Sequence, residues 1–113
     1  MIVRVWHGWA APADADAYAR HATETVFPSL ARIDGFRGAM LLRRDDPPAV
    51  EFVVETIWES LEAVREFAGD ELEVAVVEPA ARRVLSRFDD YVRHYQLADS
   101  AGTCTCCDVT RSG

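Results

Sequence analysis

The sequence predicts an α+β fold, a four-stranded antiparallel sheet with helices on one face. Two observations carry that expectation. Four β-rich segments, at 2–10, 36–44, 50–58 and 91–97, are interleaved with stretches of helical apolar spacing, so the elements run β-α-β-β-α-β. That order is the ferredoxin-like split unit, whose strands lie in the order 4-1-3-2. The first segment is also apolar on both faces, with Val3, Val5 and Trp9 on one and Ile2 and Trp6 on the other. Helices cover only one face of such a sheet, so the second calls for another copy of the chain, and a homodimer is expected.

The elements follow in order. After the first strand, Pro12 opens a helix, because a first turn has no use for the missing N–H. Tyr18, Ala22, Val26 and Leu30 form its buried stripe, and Pro28 predicts a kink near Phe27. Asp34 and Gly35 end it. Asp45-Asp46-Pro47-Pro48 reads as the turn between the second and third strands. Ser60 caps a short helix whose apolar positions are Leu61, Val64, Phe67 and Ala68, and Gly69 closes it. A further helical turn is expected at 71–77 and a helix from Pro79 to about Arg87, before the last strand.

The chain of 113 residues divides into a folded domain, 1–97, and a flexible cysteine-containing tail, 98–113, small and polar and without periodicity. Its formal net charge of −7, from 19 acids against 12 bases, opposes nucleic-acid binding. No apolar run approaches the roughly 20 residues that span a bilayer, so no membrane role is expected. Met1-Ile2-Val3-Arg4-Val5-Trp6 lacks the features of a signal peptide, which predicts a cytoplasmic protein.

Three stretches carry a family resemblance: the opening Val5-Trp6-His7-Gly8, the block from Trp58 to Gly69, and the closing Val92-Arg93-His94-Tyr95. With the element order, they make the chain resemble the antibiotic biosynthesis monooxygenase branch of the dimeric α/β-barrel superfamily. The resemblance implies a dimer whose two sheets form a barrel, with a substrate pocket between sheet and helices in each subunit. It also implies oxygenation of a small aromatic or phenolic compound without a cofactor. Haem binding or degradation, as in other members of the branch, is the alternative; a non-catalytic dimeric ligand-binding module is another. Trp58 matches the family's pocket tryptophan. The asparagine, tyrosine and arginine of the quinone-forming members fall at or near Val54, Val64 and Glu78, and the haem-ligating histidine of the haem degraders falls at Ala68.

The remaining candidates come from the residues themselves. Trp58, at the hand-over from strand to helix, either fills the layer between sheet and helices or forms a flat wall for an aromatic ligand. His7 and His94 lie on neighbouring strands, and one register would place both imidazoles on a single face as a proton acceptor or metal pair; a slip of one residue would separate them. Tyr18 and His21 run along one side of the first helix and can present hydrogen-bonding groups to the pocket, and Arg4 can hold an anionic group. Any one of His7, His21 and His94 would serve as a haem ligand. Cys104, Cys106 and Cys107 in the tail can hold a thiolate-bound metal or form a labile disulfide.

Overall fold

The computed structural model describes residues 1–102, and the tail thiols Cys104, Cys106 and Cys107 lie outside the described residues. The central strand is β1 (Ile2–Ala10), which pairs antiparallel with β3 (Ala49–Trp58), from Ile2↔Trp58 to Ala10↔Val50. β2 (Phe36–Asp46) reaches β3 through the two prolines Pro47 and Pro48 and pairs along its outer edge. The other edge of β1 takes the last strand in two pieces, β4 (Arg87–Phe88) and β5 (Arg93–Gln96). The order is β2-β3-β1-β4 with β5 also on β1, which is the expected 4-1-3-2 sheet with its fourth place shared.

Helices cover one face. A 3-10 turn at Pro12–Asp14 leads into α1 (Ala15–His21), the chain then widens into a π turn over Ala22–Val26, and α2 (Phe27–Leu30) follows. The π turn replaces the predicted kink. Phe27 donates back five residues to Ala22, and the widened turn takes up the ladder position that Pro28 cannot fill. α3 (Leu61–Ala68) has the expected cap, Ser60 Oγ accepting from Ala63 N–H at 3.2 Å, and Gly69 closes it at φ 78°. Of its apolar positions, Leu61 is the one left exposed.

Two expectations fail between α3 and the last strand. Residues 71–77 make one hydrogen-bonded turn, Val74 N–H to Glu71 O at 3.1 Å, and then run on as an extended strap instead of a longer helical turn. Their backbone takes partners across the chain: Ala75 N–H bonds Asp90 O at 2.8 Å, Val92 N–H bonds Glu73 O at 2.7 Å, and Val74 bridges Tyr91. The β-branched Val74, Val76 and Val77 favour that extended path. α4 (Pro79–Val84) then stops short of Arg87, because Leu85 turns to extended backbone and Ser86 N–H docks on Trp9 O at 2.7 Å, seeding β4.

Strand register assigns the faces. Ile2, Arg4, Trp6 and Gly8 of β1, with Phe52, Val54, Thr56 and Trp58 of β3, point toward the helices. Val3, Val5, His7 and Trp9 point to the open face. Two cores form under the helices, one around Phe52, Tyr18 and Ala81, the other around Trp58, Leu30 and Val64. Among the described residues no helix is long and apolar enough to cross a membrane.

Candidate functional site

A cavity of about 80 Å³ opens between the sheet, α1 and the strap, where the two cores meet. Trp6 and Val54 from the sheet, Phe67 from α3 and Val77 from the strap give it an apolar wall. Its polar groups are Arg4, Tyr18, His21, Thr56 and Glu78. Trp6 is held by donation from its indole N–H to Asp89 O at 2.9 Å. Gly8 lies under that indole: a Cβ there would stand 2.5 Å from the Trp6 ring, so the wall needs a residue without a side chain.

Arg4 is the cavity's cation. It is 5 % exposed, and burial lowers its pKa to about 10 against the opposing pull of Glu73, so it stays charged at neutral pH. One terminal nitrogen donates to Leu72 O at 2.6 Å and to His94 Nε2 at 3.0 Å, the other to Val74 O at 3.1 Å. Its carbon lies 5.6 Å from the Phe67 ring centre. Arg4 thus pins the strap that roofs the cavity. Because a guanidinium only donates, His94 Nε2 carries a lone pair and its proton sits on Nδ1. Burial first, and the Arg4 charge second, hold His94 below the ordinary histidine range, with Glu73 opposing.

Tyr18 is 5 % exposed, and its burial raises the phenol's pKa, so it serves as a hydrogen-bond donor and not as a base. His21, one turn further along, is half-buried; its Nε2 is shut off from solvent and has no hydrogen-bond partner among the described residues. His21 lines the cavity, and a buried imidazole nitrogen without a partner is one whose bonding a ligand would complete once the ring turns toward it.

The structure brings Arg4, Tyr18 and His21 to one cavity, and it does not bring Trp58 there. The indole is fully buried behind the wall, stacked on Phe67 with ring centres 6.0 Å apart and edge-on to Phe36 at 5.3 Å. Its N–H donates to Thr56 Oγ1 at 2.8 Å. Trp58 therefore props two wall residues, Phe67 and Thr56, and is not itself the wall. The histidine pair is also split. Arg4 lies opposite His94, so His94 faces the helices and His7 the open face. There His7 Nδ1 lies 3.0 Å from Glu51 Oε2, and His7 and then Arg44 hold the Glu51 carboxyl below its usual range. Neither His7 nor His94 lines the cavity. Phe67, Thr56 and the strap valines were missed as lining residues. Phe67 and Thr56 were legible by periodicity, the first on the inner stripe of α3, the second two residues before Trp58 on one strand face. The strap carried no such signal.

The fold is an α+β ferredoxin-like sheet with a cavity beneath its helices. A model of the antibiotic biosynthesis monooxygenase family matches residues 1–79, and the chain belongs to that family. Solved structures that share the fold include the following three. SnoaB of Streptomyces nogalater, described as a cofactor-independent oxygenase, is 19% identical with a TM-score of 0.59, covering 88% of this chain and 94% of its own. The haem-degrader MhuD of Mycobacterium tuberculosis, solved with two haems in its active site, is 22% identical with a TM-score of 0.57, covering 90% and 100%. The ActVA-Orf6 monooxygenase of Streptomyces coelicolor, in complex with nanaomycin D, is 16% identical with a TM-score of 0.59, covering 91% and 92%. No curated protein matches the chain.

Haem, which MhuD binds, fits this cavity poorly. The chain carries Ala68 at the position the resemblance gives to the iron-ligating histidine, and His21 is the one imidazole lining the cavity among the described residues.

Proposed function

We propose that the chain is a small monooxygenase that takes an aromatic or phenolic compound into the cavity under α1 and oxygenates it without a cofactor. The observation that carries the reading is the unpartnered Nε2 of His21, a residue that lines a largely apolar cavity together with Arg4 and Tyr18. His21 accepts the acidic proton of the substrate; His7 and His94 are not among the residues lining the cavity. Arg4 and the Tyr18 hydroxyl then face the electron-rich anion. O2 adds to the ring carbon of an activated methylene, and the O–O bond breaks. One oxygen remains as a carbonyl and the other leaves as water, the substrate C–H bonds supplying all four electrons.

The same reading makes the protein a cytoplasmic homodimer in which residues 1–97 are the working domain. Leu42 and Tyr95 stand 44% and 51% exposed on the open face, beside Val3, Val5 and Trp9. A second copy of the chain supplies the missing cover.

Oxygen uptake with a hydroxyanthrone, measured at an electrode above the spontaneous rate, tests the activity. The expected result is uptake that falls at least about 100-fold in His21→Ala, while His7→Ala stays active. No uptake by the wild type, or equal rates with and without His21, overturns the reading.

A further inference from the structure

We infer that the cavity is built for a ligand bearing a single negative charge, with that charge seated on Arg4: an aromatic carboxylate, or a phenol acidic enough to ionise. The inference rests on the cavity being the substrate site and names the class of molecule it selects.

Arg4 is a charge buried without a counter-charge. It is 5 % exposed and makes no ion pair within 4 Å among the described residues. Glu73 acts on it only through the longer-range field. Its three hydrogen bonds run to two carbonyl oxygens and a neutral imidazole. Those groups fix the direction of the guanidinium and leave its charge in place. A guanidinium has five N–H bonds. Three are used here, so the Nε–H and one terminal N–H have no partner among the described residues. Folding that buries a cation without an ion pair is costly unless something there returns the charge.

The surroundings narrow the ligand. The wall formed by Trp6, Phe67 and Val77 accepts an aromatic or aliphatic body. Glu78 also lines the cavity, and the protein as a whole carries −7. Both oppose a multiply charged anion such as a phosphate ester, which one buried guanidinium would not balance. A planar carboxylate matches the two free N–H groups of Arg4, and a hydroxyl elsewhere on the ring leaves its proton for His21 Nε2.

The test compares two ligands of the same shape, benzoate and benzamide, by isothermal titration calorimetry at pH 7.5 without O2 turnover. The wild type should bind benzoate about 10- to 100-fold more tightly than benzamide, the advantage of a charge-assisted hydrogen bond over a neutral one. In Arg4→Met the two should bind alike. Arg4→Lys should keep part of the preference, because it retains the charge and loses the fork. If Arg4→Met fails to fold, the wild-type pair and Arg4→Lys decide the matter. Equal affinities in the wild type, binding of neither, or a benzoate preference that survives Arg4→Met overturns the inference. Hydroxyanthrone turnover without benzoate selectivity would reject the anion and keep the oxygenase; benzoate selectivity without turnover would do the reverse.

Discussion

Replacing Thr56 by Val tests whether Trp58 supports the cavity from behind. Thr56 is 5 % exposed and Trp58 fully buried, and the indole N–H donates to Thr56 Oγ1 at 2.8 Å. Valine keeps the branched shape and removes the acceptor, leaving a buried N–H unsatisfied at a cost of about 1–3 kcal/mol, centred on about 2. The extra buried methyl returns about 0.8 kcal/mol. The net loss of about 1 kcal/mol corresponds to ~4–8 °C in Tm for a domain of this size. Trp58→Phe also destabilises, through lost packing, but there Thr56→Val no longer strands a donor and becomes neutral or slightly stabilising. The coupling in the cycle is therefore about 2 kcal/mol, read by urea unfolding followed by far-ultraviolet circular dichroism. Benzoate affinity should fall far less in Trp58→Phe than in Arg4→Met, since the indole acts only through the wall residues it props. Additive effects, with coupling below about 0.3 kcal/mol, would refute the argument.

Three shorter tests address the other features. Gly8→Ala places a Cβ 2.5 Å from the Trp6 ring and should break the indole bond to Asp89 O, shifting tryptophan fluorescence and costing about 1–3 kcal/mol; an unchanged spectrum and Tm contradicts this. His94 has a lowered pKa in the folded state, so below about pH 6.5 the unfolded chain binds the proton first. Its contribution is intact above that pH and declines as pH falls toward the folded value; His94→Gln should flatten this part of the stability–pH curve, and an unaltered curve assigns the slope elsewhere. Leu42→Glu on the open face should turn a micromolar dimer into protomers in sedimentation velocity, and a wild type that sediments as a protomer removes the basis for the barrel.

Much of the fold was legible because it rests on short-range rules. The alternation along β1, the Ser60 cap and the Gly69 stop were each fixed by a few neighbouring residues, and each formed as read. The strap was not legible. Its valines favour extended backbone, yet which donor meets which acceptor depends on Asp90, Tyr91 and Val92, some 15 residues further on. The site was half legible for the same reason. Tyr18 and His21 share a helix face, so spacing alone set them side by side. His7 and His94 needed a strand register, and the pairing of His94 with Arg4 decided it. Trp58 was correctly seen at the join of β3 and α3, but its depth depended on Phe67 turning inward between it and the cavity.

The strap and the edge of the sheet are each other's hinge post. Ala75 and Val92 donate across the gap to Asp90 and Glu73, so residues 71–77 cannot lift without loosening the stretch that carries β4 into β5. Admission of a molecule larger than the closed hollow is then a partial unzipping of the C-terminal third. Amide hydrogens at Ala75 and Val92 would exchange on one shared clock, slowed together by whatever guest holds the roof down.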